Sequence, residues 1–594
     1  MARHGHSAGR LSLVLVGIAS VGIAIAGIFL LRAGKPELKP GKTEDPFLPR
    51  PEEFVLDITK SEETFEKANS DVKRAFVKGL RVRDRAASMA AFAPGFLGRF
   101  PSRGDGVVVP DSDVVLRAMG RQETPDLDPA KLLDRIEGFT GDWTSVERTT
   151  WRPFEFLLHE NGTSAFATLH FQLAGPRADG TRAELNATLE TGLVLLEGTW
   201  RLKRLRFLEG YLAEARFRPF REVTDAVGLH FNESEADRKI QADIIDSREI
   251  VVTGGLTVGD WNRDGFWDVF ATKYFNQTVL FLNDGRGGFA RESGPEIPPE
   301  MCAFTYLLVD LDNDGVDELV SGAVFDYEGT RARIPVYVRK GAGWEMLRDR
   351  LEFEIPVGMR DVNVQTIVPH DIDGDGQLDL FLGCYKHRGS SQSEFNHLMA
   401  FDGADNLLFM NKGQLRFKEE SDARGIHGTQ YTYCVMFWDF DGDGDIDIYE
   451  GNDFGPDPLW LNRGDGTFAE GKGHKFAEGS SYTMGCTWAD WDNTGEFSLY
   501  ISNMYSHAGN RIVPLAAEIS PDLKSIAMVL AQGNQLFEFD RKKGTWSETG
   551  IERGVNWADW AWACLFWDPD NDGDKDIFVA NGYTSNTDSS APDF

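Results

Sequence analysis

The hydrophobic residues of this chain form one long unbroken run, followed by stretches of helical and of alternating periodicity. Residues 11–31 carry no charge, and about 20 apolar residues suffice for a helix to cross the hydrocarbon core of a bilayer. We therefore predict a transmembrane signal anchor at 11–31, with residues 1–10 in the cytoplasm and a Pro- and Lys-rich stalk at 32–58. A cleaved signal peptide is the alternative, although the run lacks a clear small-x-small cleavage site.

Residues 59–214 combine a helical pattern with an alternating one. Phe65, Val72 and Phe76 recur near helical spacing, and a Gly-containing turn separates two of the later alternating segments. Helices followed by antiparallel strands predict a smaller α+β domain. Their order is similar to the nuclear-transport-factor-like cone, which holds a small ligand or serves in assembly, so a homodimer through this domain is one hypothesis. The predicted strands lie at 164–173, 184–189 and 199–207.

In residues 215–594, one nine-residue pattern recurs along the chain. Its copies start roughly 50 to 80 residues apart, a period typical of repeated structural units rather than of separate domains. A β-type apolar run follows each full copy, which predicts a mainly β region. The copies are DWNRDGFWD from Asp260, DLDNDGVDE from Asp310, DIDGDGQLD from Asp371, DFDGDGDID from Asp439, the weaker DWDNTGEFS from Asp490 and DPDNDGDKD from Asp568.

The spacing of acids in this pattern predicts a metal site. Oxygen-bearing side chains at positions 1, 3 and 5 can all point into a tight loop, glycine at position 6 permits the turn, and an acid at position 9 closes the shell. Hard oxygen ligands in this number suit Ca²⁺. An EF-hand shares the first six positions, but it needs helices on both sides and a glutamate at position 12, where only Glu450 fits.

We therefore predict about five Ca²⁺ sites, one in each full copy. In the loop that starts at Asp490, Thr494 and Ser498 replace two acids, so weak or absent binding is expected there. The predicted metal ligands are Asp260, Asn262, Asp264 and Asp268; Asp310, Asp312, Asp314 and Glu318; Asp371, Asp373, Asp375 and Asp379; Asp439, Asp441, Asp443 and Asp447; and Asp568, Asp570, Asp572 and Asp576.

A second repeated element, a strand followed by a Gly-rich turn and an aromatic residue, follows most loops. It reads LFLNDGRGGF from Leu280, LLFMNKGQLRF from Leu407 and LWLNRGDGTF from Leu459. Together, the loop and this element resemble the FG-GAP, or VCBS, repeats of integrin α-subunit β-propellers and of many bacterial surface proteins. The resemblance implies a calcium-binding propeller of six or seven blades over 215–594, closed by a strand near 217–223.

Segments such as YEGNDFGPDPLWLNRGDGTF and YTMGCTWADWDNTG more closely resemble the cartilage-acidic-protein group of these propellers. Members of that group often carry an additional C-terminal domain of the ASPIC/UnbV type. Because this chain ends at Phe594, soon after its last loop, we expect that domain to be absent from it.

Composition narrows the choice of partners. The chain has 94 acidic and 62 basic residues and a formal charge of −32. A field of that sign repels nucleic acid and attracts divalent cations, so no nucleic-acid partner is expected. The five cysteines contain no Cys-x-x-Cys pair, which argues against a zinc site. Because the acidic loops would need millimolar calcium, the soluble part is expected in the periplasm or outside the cell.

Two long insertions are the candidates for a working surface, and an ordinary surface excursion is favoured over a catalytic loop for each. Lys386–Asp405 carries His387, Arg388 and His397, and Tyr505–Gln532 carries His507, Arg511 and a predicted helix near Leu523–Leu530. No Ser–His–Asp order, phosphate loop or His-rich zinc signature is present. We therefore favour a non-enzymatic binding or adhesion module for glycan or extracellular protein. The alternative is an extracellular polysaccharide lyase or hydrolase built on the propeller.

Overall fold

The computed structural model describes residues 47–581, except 52–53, 56, 109–113, 122–123, 216–221, 232–253, 274–276, 299–300, 302, 304, 325, 342, 358, 360–361, 388–399, 478–479, 517–518 and 570. The protein is mainly β and contains several antiparallel sheets. Within the described residues, no helix is both long enough and apolar enough to span a membrane. The predicted anchor at 11–31 and most of the predicted closing strand at 217–223 lie outside those residues.

The contacts of the chain divide it into two compact units. In its described part, the first unit comprises residues 222–486, and the second joins residues 47–221 with residues 487–581. The second unit is therefore assembled from two stretches that lie on either side of the first in the sequence.

In the second unit, one sheet consists of β1 Phe92–Arg99, β2 Val107–Val108, β3 Val114–Met119, β4 Arg148–Leu158, β5 Ser164–Pro176, β6 Arg182–Leu196 and β7 Thr199–Ala215. The order of this seven-stranded sheet is β2-β3-β7-β6-β5-β4, and β1 pairs with β7 in parallel. The predicted strands at 164–173, 184–189 and 199–207 are confirmed as parts of β5, β6 and β7. Strand β4 was not predicted, because Pro153 interrupts its pattern; a register shift between Pro153 and Glu155 accommodates the proline.

Helices pack their apolar stripe against this sheet, in agreement with the helical pattern of the sequence. Asp57 caps the first helix by accepting a hydrogen bond from the Lys60 N–H. Buried aromatic residues, among them Phe65, Phe76 and Trp151, fill the core between helices and strands. The helices are α1 Ile58–Val72, a π-helical turn Lys73–Val77, α2 Lys78–Val82, α3 Arg85–Ala90 and α4 Pro129–Thr140.

The described residues of the first unit form four antiparallel sheets, in which most strands pair with their neighbours in sequence. This arrangement follows from the short turns between consecutive apolar runs. Helix α5 is Thr224–Val227, and 3₁₀ turns occur at Asp422–Arg424 and Lys475–Ala477. The sheets contain β8 Gly254–Gly259, β9 Asp268–Lys273, β10 Gln277–Asn283 and β11 Phe289–Glu292; β12 Tyr306–Val309, β13 Glu318–Ser321, β14 Asp326–Glu328, β15 Arg331–Lys340 and β16 Gly343–Glu354; β17 Val362–His370, β18 Asp379–His387, β19 Leu407–Asn411 and β20 Phe417–Glu419; and β21 Tyr431–Trp438, β22 Asp447–Pro456, β23 Leu459–Asn462, β24 Phe468–Glu470 and β25 Ser480–Tyr482.

The described residues in the rest of the second unit form two further sheets and three helices. The predicted helix near Leu523–Leu530 is confirmed as α7, and Ser520 caps it. The elements are β26 Gly485–Ala489, β27 Ser498–Ser502, α6 His507–Ile512, a 3₁₀ turn Val513–Leu515, α7 Pro521–Gln532, β28 Gln535–Asp540, β29 Thr545–Glu548, α8 Gly550–Arg553, β30 Ala561–Trp567 and β31 Asp576–Asn581.

Candidate metal centres

Each acidic loop connects the first two strands of its sheet. Position 1 follows directly after the first strand, and position 9 begins the second. In the loop that starts at Asp371, the last residue of the first strand, His370, pairs with Asp379 at position 9. The same pairing closes the loops at Val309 with Glu318 and at Trp438 with Asp447. The β flanks therefore confirm that these loops are not EF-hands.

The carboxylates at positions 1 and 5 hold the loop in shape through its own backbone. Asp371 accepts hydrogen bonds from the N–H groups of Asp375 at 3.0 Å and Gly376 at 2.9 Å, and Asp375 accepts one from the Gln377 N–H at 2.9 Å. Gly376 at position 6 has a φ of +87°, where glycine has no steric cost. The spacing of acids and glycine therefore specifies the loop conformation.

The acid at position 9 is buried and joins the loop to the rest of its sheet. Asp379 accepts hydrogen bonds from the Ile372 N–H at 3.0 Å and the Asn411 N–H at 2.7 Å. Burial raises the pKa of Asp379 to about 6 and that of Glu318 to about 7. A cation that binds beside these carboxylates would offset the cost of their burial.

Three loops bring carboxylate oxygens of positions 1, 3 and 9 within 4.8 Å of one another. At position 3, the Oδ1 atoms of Asp312 and Asp373 are buried and accept no hydrogen bond. Buried polar atoms without partners are rare in folded proteins, and oxygen donors converging in this way fit a hard cation such as Ca²⁺. The three groups are Asp310, Asp312 and Glu318; Asp371, Asp373 and Asp379; and Asp439, Asp441 and Asp447.

The other predicted ligands are placed differently. Position 5 (Asp314, Asp375 and Asp443) is not part of these close groups, and each of its carboxylates accepts the N–H of position 7. In the first loop, the Asn262 amide donates to Asp264 at 2.9 Å. In the last loop, Asp568 accepts the N–H groups of Asp572 and Gly573, whereas Asp570 lies outside the described residues.

The asparagine of the second repeated element was not predicted as a site residue. Asn411 donates through Nδ2 to the Leu311 carbonyl of the preceding sheet at 2.9 Å and to the Leu378 carbonyl of its own sheet at 3.0 Å. Asn462 bonds in the same way to Ile372 at 3.3 Å and to Ile446 at 3.1 Å. These residues therefore tie each loop to the neighbouring sheet.

We expect Asn411→Ala to destabilise the first unit by about 2 to 4 kcal/mol, because it leaves buried carbonyls without a donor. Asn283 is the matched control, since in the same motif it donates to the Trp267 carbonyl at 3.1 Å and sits in a more exposed turn. Midpoints of chemical denaturation would measure both variants. Equal losses for Asn411→Ala and Asn283→Ala would contradict the role of Asn411 as a tie between sheets.

A second cluster of charged and aromatic side chains lies at the other end of the same strands. We call Tyr385, Lys386, Asp402, Tyr431 and Asp453 the tyrosine–acid cluster. Asp453 follows Asp447, the position 9 acid at the start of β22, by six residues. The two residues therefore lie roughly 20 Å apart along the strand. Two acidic groups therefore occupy opposite ends of one strand.

Hydrogen bonds connect the members of this cluster. Tyr385 donates to Asp453 Oδ2 at 2.9 Å, and Tyr431 donates to Asp402 Oδ1 at 2.8 Å. Lys386 Nζ donates to Asp402 Oδ2 at 3.1 Å and to the Tyr431 hydroxyl at 3.0 Å. The side chain of Asp402 is 48% exposed and that of Lys386 is 14% exposed, so the Lys–Asp pair is open to solvent at one side.

Asp453 is the most unusual member of the cluster. It is 3% exposed, and its Oδ1 accepts no hydrogen bond. Burial raises the pKa of Asp453 to about 8, which favours the neutral carboxyl over the carboxylate. No local sequence pattern indicates this cluster, because Tyr385 and Asp453 are 68 residues apart.

A family model described as an FG-GAP-like repeat matches residues 260–321 and 439–501, and each match contains two acidic loops. The chain carries FG-GAP-like repeats. It also resembles cartilage acidic protein 1 of Mus musculus, with 26% identity over 199 residues, 33% of this chain and 28% of that protein. The chain thus matches under a third of that relative's length.

Solved structures also align with part of the chain. They include the hexachlorocyclohexane dehydrochlorinase LinA-type3 from Novosphingobium barchaimii LL02, at 13% identity over 30% of this chain and 99% of that one, with a TM-score of 0.19. An NTF2-like protein of unknown function from Pseudomonas putida KT2440 aligns at 11% identity over 26% of this chain and 89% of that one, with a TM-score of 0.17.

The weaker loop of the FG-GAP-like repeats keeps the conformation of the others. Asp490 accepts the N–H groups of Thr494 at 2.9 Å and Gly495 at 3.0 Å, and the Thr494 hydroxyl donates to Asp492 at 2.7 Å. The hydroxyl thus donates to the position 3 carboxylate, whereas at position 3 of two other loops an oxygen of Asp312 and of Asp373 has no hydrogen-bond partner. Weak or absent metal binding at this loop stays a prediction.

The insertion after the fifth FG-GAP-like loop uses its candidate catalytic residues for packing. Arg511 is buried; it donates to both carboxylate oxygens of Glu62 in α1 and to the Pro153 carbonyl in β4 at 3.0 Å. His507 packs against other aromatic rings. In the other insertion, His387 ends β18, and Arg388 and His397 lie outside the described residues.

Proposed function

We propose that this chain is a calcium-braced binding module, in which the FG-GAP-like sheets are the blades of a six- or seven-bladed β-propeller. The observation that carries this proposal is the pair of orphan carboxylate oxygens, Asp312 Oδ1 and Asp373 Oδ1, which lie among converging acids of the repeated loops. In this role Ca²⁺ would be held by positions 1, 3 and 9, together with position 5 where it can reach, and would cancel the repulsion among those acids.

The loops brace the blades, so binding of a partner is assigned to another part of the repeats. The tyrosine–acid cluster offers a carboxyl at Asp453 whose pKa is raised by burial, a Lys386–Asp402 pair in which Asp402 is half exposed, and the adjacent rings of Phe454 and Tyr482, whose centroids are 5.0 Å apart. Aromatic faces beside a few fixed polar groups are suited to sugars, which present apolar faces and hydroxyl groups together. We therefore propose a glycan as the partner, with an extracellular protein as the alternative.

The remaining domain organisation is part of the same proposal. Residues 1–10 would remain in the cytoplasm, 11–31 would anchor the chain, and 32–58 would raise the soluble part in the periplasm or outside the cell. The α+β region at 59–214 would form a nuclear-transport-factor-like cone. Its apolar interior is filled by aromatic side chains such as Phe65, Phe76 and Phe156, which supports a role in assembly, including a homodimer, over a role in ligand binding.

The test is retention of the purified full-length protein, with calcium, on a panel of immobilised neutral and acidic polysaccharides and extracellular proteins. We expect a polysaccharide to retain the protein, and Lys386→Met or Asp402→Asn to weaken retention at least about tenfold, the loss typical of a charged contact. Lys418→Met is the matched control, because Lys418 is exposed on the same sheet and pairs with Glu420.

Two further results separate the alternatives. Asp453→Asn should preserve binding, because burial favours the neutral carboxyl, which the amide resembles, whereas Asp453→Ala should abolish it. Failure of every polysaccharide to retain the protein, or equal binding by the cluster variants and Lys418→Met, would contradict the glycan proposal. Release of soluble fragments from a retained polysaccharide would instead identify a lyase or hydrolase.

A further inference from the structure

Two histidines meet where the segment Tyr505–Asp559 packs on the seven-stranded sheet of the second unit. His170 of β5 lies flat on Trp557, with ring centroids 4.0 Å apart and an angle of 8° between the planes. His507 of α6 stands perpendicular to both rings, each at a centroid distance of 6.0 Å. The two imidazoles therefore form the centre of this contact.

Other aromatic residues enclose the pair. The Phe154 ring lies 4.7 Å from that of His170, and the Tyr505 ring lies 4.8 Å from that of His507. The His507 Nε2 atom and the Trp557 Nε1 atom are both buried, and neither has a hydrogen-bond partner. Protonated imidazole needs a partner for each N–H, and this site offers aromatic faces in place of such partners.

The charged groups around the histidines are arranged against a further positive charge. Arg152 faces both imidazoles, and Arg511 and Lys73 face His507. The nearby carboxylates are engaged by the arginines, since Asp559 forms an ion pair with Arg152 and Glu62 one with Arg511. A protonated imidazole would therefore lie among cations, with the carboxylates of the contact already engaged.

We propose that His170 and His507 form an acid-sensitive latch, which holds the Tyr505–Asp559 segment on the sheet at neutral pH and releases it when both imidazoles are protonated. The latch shares no residue with the acidic loops or with the tyrosine–acid cluster. The latch would thus respond to acidification without involvement of the acidic loops.

The direction of the response follows from proton linkage. Burial, followed by the charge of Arg152, lowers the pKa of His170 from 6.5 to about 3, and burial likewise lowers the pKa of His507. The closed form therefore binds fewer protons than the open form. The closed form is fully favoured above about pH 6.5, and this preference is lost as the pH falls from there towards 3.

Amide hydrogen exchange of the full-length protein tests the latch, with rates corrected for the intrinsic effect of pH. Between pH 7.5 and pH 5.0, we expect the protection of peptides covering α6, His507–Ile512, to fall at least about tenfold, the linkage effect of one such histidine. Peptides from β18, Asp379–His387, serve as the internal reference and should keep their protection.

Variants separate the latch from general acid destabilisation. His170→Phe with His507→Phe keeps the aromatic packing but cannot be protonated, so α6 should remain protected at pH 5.0. His427→Phe is the control, since His427 is exposed, and it should respond to pH as the wild type does. Unchanged protection of wild-type α6 at pH 5.0, or the same loss in the double variant, would overturn the proposal. If the double variant does not fold, His170→Phe alone should reduce the pH response of α6, and an undiminished response would count against the latch.

Discussion

Removal of calcium with a chelator is expected to lower the melting temperature of the purified protein by at least about 5 °C, and restored calcium should reverse the change. A ligand that binds only the folded state stabilises it by about 2.7 kcal/mol at 100 times its dissociation constant. One kcal/mol corresponds to about 2 to 4 °C for a unit of this size. Carboxylates converge in three loops of this structure, so the fall in melting temperature should exceed that expected for a single site.

Magnesium provides one control, because its strict octahedral geometry suits this loop poorly. Asp312→Asn provides another, with effects of opposite sign in the two states. Burial, together with the charges of Asp314 and Asp310, raises the pKa of Asp312, so the neutral amide should stabilise the metal-free form. The same change should remove the calcium-dependent gain of that loop.

The matched variant is Asp492→Asn in the weaker loop, where the Thr494 hydroxyl already bonds to the carboxylate. This change should leave the calcium-dependent shift in melting temperature unaltered. A shift that is the same in wild type, Asp312→Asn and Asp492→Asn would place calcium elsewhere. No shift with calcium in the wild type would disprove the proposed brace.

Arg511→Met is expected to destabilise the second unit by about 3 to 5 kcal/mol, because it breaks a buried ion pair and strands its partner. The Arg511 side chain is 6% exposed, bonds to Glu62 at 2.7 Å and lies 3.7 Å from the centroid of the Phe65 ring. The Pro153 carbonyl would also lose its donor. Thermal or urea unfolding, monitored by proteolytic cleavage in α6, would measure this loss of stability.

Arg85→Met is the matched control, since Arg85 also pairs with two carboxylates but is 38% exposed, and it should cost less than about 1 kcal/mol. A double-mutant cycle with Glu62→Gln should show that the two losses are not additive. Equal stabilities of Arg511→Met and Arg85→Met would mean that the contact between α6 and the sheet contributes little.

The parts of this protein that could be predicted are those encoded by short-range spacing. Asp371, Asp373, Asp375 and Gly376 lie within one loop, so their separation in sequence determines their separation in space. The same holds for strands β5 to β7, whose alternation and short turns are visible locally. The sequence therefore predicts the loops and many of their flanking strands.

The parts that could not be predicted depend on residues brought together from far apart. Tyr385 and Asp453 are 68 positions apart, and Arg511 and Glu62 are 449 apart. No local pattern reports such pairings. The sequence around Arg511 does not show that this residue is buried against the sheet, so Arg511 was predicted as a catalytic candidate. Asn411 was missed for the same reason, since its acceptor at Leu311 belongs to another sheet.

The composition of the second unit from two distant stretches has a consequence for biosynthesis. The face of the sheet that receives α6 and Leu515 includes Pro153, Leu157 and Phe166. Arg511 follows Pro153 by 358 residues, and a ribosome adding roughly 5 to 20 residues per second needs about 20 to 70 s to cover that distance. During that interval the nascent chain presents an apolar face without its own cover, so chaperone capture or premature pairing of two chains would compete with correct folding there.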